Sequence, residues 1–382
     1  MSTATSIPAN FTKHHLPKIR LTLAVAGVIA ALFVIDVSLE KTEQTELAQS
    51  ALRDDRNGHA LLQQGKTSDA VDQFRKAHAL ERENVGYEID LINALMDDGK
   101  LAEAEPLVAE VLEEESNDGE VNLVAARLAA RQGRVNSADA YYHRAIYGEW
   151  PSDVTKNQIQ VRLELISFLL THSKRDEILA ELLPLQEQAR KDEALQPRLA
   201  SLFLEADSPG RALDIYRELA KQHPRNASYF SGMGQADLAL GDFRAAHAAF
   251  AAAVARDNRD PTLRKQLELA MQLSNMDPTP RWLSSQDKYV RSLHILDLTT
   301  TGLQQCITNH PQFATDDATQ LISTAQTQLS APPPNEPTNQ MAENTVALAQ
   351  RIWQTRTSLC GPVTADDEEP LRYMMEKLAS AK

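Results

Sequence analysis

The sequence has few glycines, few aromatic residues and a shortage of basic side chains. Of its 382 residues, 14 are glycine and 5% are aromatic, whereas long runs are rich in Ala, Leu, Glu and Gln. Strands favour aromatic and β-branched residues, so this composition predicts an all-α chain. The net charge of -14 argues against a nucleic-acid partner, because a phosphate backbone is bound by concentrated Lys and Arg.

Sequence signatures of catalysis and of metal binding are missing as well. There is no HExxH motif, no short Cys/His cluster, no calcium-binding loop, no nucleophile elbow and no glycine-rich phosphate loop. We therefore predict a protein that is not an enzyme and that has no cofactor, no metal site and no small-molecule substrate. An enzyme in the C-terminal region is the alternative, because the geometry of such a site would be hidden in the sequence.

A single long apolar segment lies near the start of the sequence. Residues 21–39, LTLAVAGVIAALFVIDVSL, carry one charge, Asp36, and as a helix rising about 1.5 Å per residue they span the roughly 30 Å core of a membrane. Basic residues precede this run at 13–20 and acidic residues dominate 40–46. The N-terminus is therefore expected in the cytoplasm, with the bulk of the chain in the periplasm or another extracytoplasmic space of a bacterial-type inner membrane. A cleaved signal peptide and a buried core helix are the alternatives. The predicted segments are a cytoplasmic tail at 1–19, a transmembrane anchor at 20–39 and a stem at 40–50.

The middle of the sequence repeats itself. Helix-breaking residues recur at steps of 34, 34, 40, 34 and 34, namely Gly65, Gly99, Gly133, Ser173, Asp207 and Gly241. Five residues after each of them stands a small or aliphatic residue: Ala70, Ala104, Ala138, Ile178, Ala212 and Ala246. Nine residues after each stands a larger apolar residue: Phe74, Val108, Tyr142, Leu182, Tyr216 and Phe250. Columns coupled at one period predict a solenoid, in which each repeat buries its apolar face against the next.

These columns resemble the tetratricopeptide repeat, a helix-turn-helix unit of 34 residues with small residues at its eighth and twentieth positions and an aromatic at its twenty-fourth. The resemblance covers about residues 51–260 and implies six repeats, about 12 helices, closed by a capping helix within 261–277. The predicted solenoid domain is therefore 51–277. The extra residues between the third and fourth repeats, around YGEWPSDVTKN, are expected to protrude as a loop.

The same resemblance implies where a partner binds. In the repeat family the first helix of each repeat lines a concave groove, through its second, fifth, ninth, twelfth and thirteenth positions. We expect Asn93 to hold an extended peptide by its backbone, and Arg127 and Arg131 to grip a carboxylate; an ordinary solvated helix face is the alternative. Asp55 interrupts the lysine and asparagine clamp of chaperone-binding members, which disfavours a chaperone tail as partner. The predicted groove residues are His59, Gln63, Asn93, Met96, Asp97, Leu123, Arg127, Arg131, Ser167 and Gln235.

Beyond residue 277 the repeat is lost. Apolar spacing and capping residues predict a small helical domain at 278–382, with helices at 282–307, 315–329, 338–359 and 369–379. The only two cysteines, Cys306 and Cys360, fall at the ends of the first and third of these helices, which meet at one pole of an up-down-up arrangement. We expect a disulfide, as suits an oxidising compartment, with two ordinary thiols as the alternative.

The predicted function is a membrane-anchored extracytoplasmic scaffold or assembly adaptor whose groove binds protein or peptide segments. The alternative is an accessory subunit of an envelope machine, such as one for polysaccharide export or cytochrome maturation. Both interpretations rest on the repeat, because a solenoid positions partners and needs no turnover.

Overall fold

A computed structural model describes residues 16–172, 175–362 and 369–380, except for most side chains of residues 16–39 and those of 175–176. These described residues form seventeen α-helices and a short 3-10 turn, with no strand among them, so the predicted all-α class is confirmed. The helices are α1 (Leu16–Gln63), α2 (Thr67–Leu80), α3 (Val85–Asp97), α4 (Leu101–Glu114), α5 (Gly119–Arg131), α6 (Val135–Tyr147), α7 (Val154–Thr171), α8 (Arg175–Gln188), α9 (Gln196–Glu205), α10 (Pro209–Gln222), α11 (Ala227–Ala239), α12 (Phe243–Val254), α13 (Pro261–Met276), α14 (Ser285–Asn309), α15 (Asp316–Ser330), α16 (Asn339–Cys360) and α17 (Glu369–Ser380).

The chain divides into two compact units, Met1–Phe168 and Leu169–Lys382, here called unit 1 and unit 2. Unit 1 holds the first three repeats and most of α7, and unit 2 holds α8 to α17. This division, between residues 168 and 169, falls inside the predicted solenoid at 51–277 and not at either of its predicted ends. The predicted domain boundaries stay a prediction.

Helix α1 runs without interruption from Leu16 to Gln63, so the predicted stem at 40–50 is helical. The last turns of α1, from residue 51 onward, form the first helix of repeat 1. Among the described residues, no helix has the length and apolar character that crossing a membrane requires. Most side chains of the predicted anchor at 20–39, and most of the predicted tail at 1–19, lie outside the described residues. The anchor therefore stays a prediction.

The repeat columns are the core of both units. All six residues at the twentieth position are completely buried, at 0% exposure: Ala70, Ala104, Ala138, Ile178, Ala212 and Ala246. The twenty-fourth position is buried in every repeat, from Phe74 to Phe250. Burial at a fixed period confirms that these residues hold paired helices together, as the spacing predicts.

Two glycines show why the eighth position must be small. A Cβ added at Gly58 would lie 2.7 Å from the ring of Phe74, and one added at Gly234 would lie 2.7 Å from the ring of Phe250. Real Cβ contacts are longer, so a larger side chain would push the ring out of the groove between the two helices. The eighth and twenty-fourth positions therefore pack directly against each other within a repeat.

In the five repeats whose turn residue the structure describes, that residue has a left-handed backbone conformation. Gly65, Gly99, Gly133 and Gly241 have φ between 70° and 75°, and Asp207 adopts φ 55° at the equivalent place. The turn of repeat 1 closes when Lys66 N donates to Leu61 O (3.0 Å) and Gly65 N donates to Leu62 O (2.9 Å), which is the Schellman pattern. Glycine adopts this conformation freely, whereas the Cβ of Asp207 costs about 1 kcal/mol.

The fourth position, where the family has a tryptophan-like residue, is filled by buried polar side chains in three successive repeats: Glu88, Asn122 and Arg162. Asn122 Nδ2 donates to Ser116 O (3.0 Å) and Asp118 O (2.7 Å), which pins the preceding loop to α5. Burial, then the neighbouring carboxylates Glu110 and Glu114, raise the pKa of Glu88 to about 7. Fine packing in these repeats thus differs from the family pattern, while the helix pairs are kept.

The inserted loop before α7 does not simply protrude, which corrects the expectation from its length. Trp150 Nε1 donates to Ala145 O (3.0 Å), and the indole lies so close to Gly119 that it leaves no room for a Cβ there. Gly119 N also donates to Glu149 O (2.8 Å). An indole covers enough apolar surface to hold a short loop against a helix start. The first half of the insertion therefore lies on the beginning of α5.

In unit 2 the C-terminal helices share one core with the last repeat and α13. The buried members include Phe250 of α12, Leu273 of α13, Leu296 of α14, Ile352 of α16 and Met374 of α17. The second and third C-terminal helices, α15 and α16, begin on capping residues: the side chains of Thr315 and Thr338 accept hydrogen bonds from the first turn. The last helix, α17, docks through four buried residues: Leu371, Met374, Met375 and Leu378.

Candidate partner-binding face

The predicted groove residues differ in how much of each reaches solvent. Met96 and Leu123 are buried, at 4% and 6% exposure, so they belong to the core rather than to a binding surface, contrary to the prediction for them. Asn93 and Arg127 are half-buried. The remaining six are exposed: His59, Gln63, Asp97, Arg131, Ser167 and Gln235. Of these exposed and half-buried groove residues, all but Gln235 lie in unit 1. We call those in unit 1 the first-helix face: His59, Gln63, Asn93, Asp97, Arg127, Arg131 and Ser167.

Arg127 is engaged within the chain. Its Nε and Nη2 atoms donate to the two carboxylate oxygens of Glu164 on α7, both at 2.8 Å, and Tyr142 Oη donates to Glu164 Oε1 at 3.1 Å. The hydrogen bonds to Glu164 raise the pKa of Arg127 although burial opposes them, and burial followed by Glu164 raises the pKa of Tyr142. The carboxylate that Arg127 holds in this structure therefore belongs to repeat 4.

Arg131 is also paired, but in solvent. Its Nη2 donates to Asp97 Oδ1 at 2.6 Å, and the two side chains are 42% and 51% exposed. Both residues occupy the thirteenth position, in repeats 3 and 2. An exposed ion pair of this kind is held weakly, so either group remains accessible to a partner.

His59 lies between two carboxylates. Its Nε2 is 3.6 Å from Asp55 Oδ1 on the same helix and 3.4 Å from Asp90 Oδ2 on α3. The ring of Phe74 meets the imidazole edge-on, with centroids 5.1 Å apart. Burial is the main cause that raises the pKa of Asp90 to about 6; His59 lowers it and the Asp55 carboxylate raises it.

Sequence reasoning missed this group, although it predicted His59 as a groove residue. Among the described residues, Asp55, His59 and Asp90 form a set of three potential metal ligands whose ligand atoms all lie within 4.8 Å of one another. The i, i+4 spacing of Asp55 and His59 on a helix was a visible signal. The third member comes from the next repeat, so no short motif contains all three.

The C-terminal region offers a cavity of about 590 Å³ between α13, α14 and α17, all within unit 2. Its polar lining residues are Gln272, Asn275, His294, Thr301 and Gln305, and no described carboxylate or thiol lines it. One imidazole among amides and a hydroxyl provides no matched acid and base. The cavity therefore gives little support to the alternative of an enzyme.

The two cysteines are joined in the structure, with their Cα atoms 6.1 Å apart. Cys306 lies in the last turn of α14 and Cys360 ends α16, and these two helices pack along their length. The two C-terminal ends thus meet at one pole, as the predicted up-down-up order requires. The bond closes a loop with a sequence separation of 54 residues.

This architecture is that of a helical repeat protein, and repeat proteins are among the known proteins to which the chain is similar. Residues 61–128 match the profile of the family described as tetratricopeptide repeat, which supports the predicted repeat over this stretch. The match includes the second helix pair completely and parts of its neighbours.

Among curated proteins, the chain is similar to the putative cellulose synthase operon protein C of Escherichia coli O157:H7, with 24% identity over 248 residues. It is 21% identical over 262 residues to cellulose synthase operon protein C of Escherichia coli strain K12. Each match covers 63% of this chain and only 21% of the relative's length.

Among solved structures, similar chains include a tetratricopeptide repeat protein from Parabacteroides merdae ATCC 43184, at 17% identity and a TM-score of 0.27, covering 58% of this chain and 99% of that one. Another is the TPR2AB-domain:pHSP90 complex of yeast Sti1, at 16% identity and a TM-score of 0.29, covering 74% of this chain and 98% of that one.

Proposed function

We propose that this chain is a membrane-anchored, extracytoplasmic scaffold that binds protein segments on its first-helix face. The observation that carries the proposal is the division of each first helix into two sides. One side is buried against the second helix, as at Gly58 and Ile92, while polar side chains such as Gln63, Asp97 and Arg131 stay in solvent. A row of polar side chains on rigid helices suits recognition of an extended segment, whose backbone offers donors and acceptors.

A role in an envelope machine is the more specific form of this proposal. Similarity to proteins named for a cellulose synthase operon favours polysaccharide export over cytochrome maturation. This chain would act there as an adaptor, since its repeats position partners. The apolar run at 21–39 and its charged flanks support an inner-membrane anchor with the bulk of the chain outside the cytoplasm. The Cys306–Cys360 pair suits that oxidising side.

Site-specific photocrosslinking in intact cells tests the binding face. A photoreactive residue at Gln63 or Asp97 is expected to give a discrete crosslinked partner band, because both side chains are exposed on the first-helix face. Matched probes at Lys76 on α2 and Glu103 on α4, equally exposed on second helices, serve as controls. Equal yields from first and second helices would reject the face.

The half-buried Asn93 sharpens the test. Asn93→Ala removes an amide that can bond to a peptide backbone, so the band from Gln63 should weaken while helicity by circular dichroism is unchanged. A reporter that is active only outside the cytoplasm, fused to the carboxyl end, checks the topology in the same cells. Activity of a cytoplasmic reporter instead would overturn the proposed location and leave the binding face to be judged by the crosslinks.

A further inference from the structure

We propose that Asp55, His59 and Asp90 bind one divalent metal ion of the zinc class at the junction of repeats 1 and 2. The inference is independent of the proposed function, because it rests on the ligand geometry alone. It also replaces the sequence-based expectation that the chain has no metal site.

The distances fit coordination better than hydrogen bonding. The His59 Nε2 to carboxylate oxygen separations of 3.6 Å and 3.4 Å exceed the usual 2.7–3.2 Å of an N–H···O bond. Metal bonds of about 2.0–2.2 Å place neighbouring ligand atoms of a tetrahedral ion about 3.3–3.6 Å apart. The imidazole nitrogen is thus spaced from each carboxylate as neighbouring ligands of one ion are, and all three ligand atoms lie within 4.8 Å of one another.

A second observation points to an ion at this place. Asp55 Oδ1, the oxygen nearest to His59, is buried and has no hydrogen-bond partner, and the Asp55 side chain as a whole is 13% exposed. A carboxylate oxygen taken from water without a donor costs free energy, and such atoms are rare in folded proteins. A cation would satisfy this oxygen and neutralise the crowded pair of carboxylates.

The ligands are also held in place before any ion arrives. Asp55 and His59 lie one turn apart on α1, and Asp90 lies on α3. The edge-on contact with Phe74 restrains the imidazole ring. Rigid helices and a packed ring reduce the reorganisation that binding requires.

The donor set decides the class of ion. Imidazole with two carboxylates suits zinc and other borderline divalent ions, whereas calcium and magnesium prefer oxygen donors alone. Three protein ligands leave a fourth position for water or for a donor from a partner. His59 is 49% exposed, so an ion has access to the site from solvent.

Isothermal titration of the full chain with Zn²⁺ alone tests the site, after purification in detergent and removal of bound metal by a chelator. We expect one Zn²⁺ per chain, and an affinity about tenfold or more lower in His59→Ala and in Asp90→Asn. The matched control is His143→Ala. His143 Nε2 lies 3.7 Å from Asp139 Oδ1 at the same i, i+4 spacing, but among the described residues this pair is not part of a three-ligand set. His143→Ala should bind Zn²⁺ as the native chain does.

Two results of the titration would contradict the proposed metal site. Equal affinity in the native chain, His59→Ala and Asp90→Asn, or no saturable binding by the native chain, would overturn the site. If His59→Ala loses helicity, the isosteric Asp55→Asn keeps the test open, because it removes one charge and one ligand while keeping the shape. As a second readout, Zn²⁺ should raise the melting temperature of the native chain and of His143→Ala, but not that of His59→Ala.

Discussion

Two junctions between neighbouring repeats of unit 1 place different chemistry at the same positions. At the junction of repeats 3 and 4, the ninth-position residue Arg127 meets the sixth-position Glu164. At the junction of repeats 1 and 2, the ninth-position His59 meets the sixth-position Asp90. The aromatic at the twenty-fourth position touches the pair in both cases: Tyr142 donates to Glu164, and Phe74 packs on His59.

The difference lies in whether the polar groups satisfy one another. The guanidinium of Arg127 reaches both oxygens of Glu164 at 2.8 Å, so the later junction is closed by charge-assisted hydrogen bonds. The shorter imidazole of His59 stays 3.4 Å from Asp90, and Asp55, where repeat 3 has Leu123, adds an oxygen that has no hydrogen-bond donor. The same backbone position therefore gives a finished structural contact in one repeat and an open set of ligands in another.

The largest effect is expected from breaking the closed junction. Glu164→Ala leaves the half-buried guanidinium of Arg127 and the hydroxyl of Tyr142 without their acceptor, which should cost about 2 kcal/mol of the free energy of unfolding. Urea denaturation followed by circular dichroism measures it. The control Glu164→Gln keeps one acceptor and should lose less. A loss below about 0.5 kcal/mol in Glu164→Ala would show that the contact is no stronger than a surface ion pair.

A smaller, opposite effect is expected from converting the open junction into the closed one. The triple variant Asp55→Leu, His59→Arg, Asp90→Glu reproduces the residue types found at Leu123, Arg127 and Glu164. In chelator it should stabilise the chain by about 1 kcal/mol, because a two-bond pair replaces a buried oxygen that has no donor.

The triple variant also tests the metal site, through its melting temperature with and without Zn²⁺. Zn²⁺ should raise the melting temperature of the native chain in this comparison and leave the triple variant unaffected, because the imidazole and one carboxylate are gone. Stabilisation of the triple variant by Zn²⁺ to the native extent would place the ion elsewhere. A net destabilisation in chelator would mean that the backbone of the two junctions differs.

The sequence predicts the packing of these repeats better than their polar contacts. Burial of Ala104 or Phe250 follows from a fixed period, because every second helix must present the same face to its neighbour. Helix starts at Asp316 and Asn339 follow from the capping threonines before them. These features depend on local spacing, so a single amino-acid sequence is enough to predict them.

The polar contacts depend instead on geometry between repeats. The sequence shows that Arg127 is a cation but not which carboxylate it binds. Its partner Glu164 lies beyond the insertion that breaks the 34-residue spacing, and many other carboxylates lie between the two residues. Met96 was expected on the groove because the family places its twelfth position there, yet neighbouring side chains bury it here. Trp150 had no assigned role, since nothing in the sequence shows that a ring after α6 returns to Gly119.

The smallest effect is expected at the pair that is open to water. Arg131→Ala removes the contact to Asp97, but both side chains are largely exposed and the charges are screened, so the free energy of unfolding should fall by about 0.5 kcal/mol or less. Raising the salt concentration should shrink even this difference, because exposed charges are screened within about 10 Å at 0.1 M. Denaturation of Arg131→Ala beside Glu164→Ala measures the contrast directly. A loss as large as that of Glu164→Ala would mean that Arg131 supports the junction, and its use in partner binding would then have to be judged from a variant that keeps the charge, Arg131→Lys.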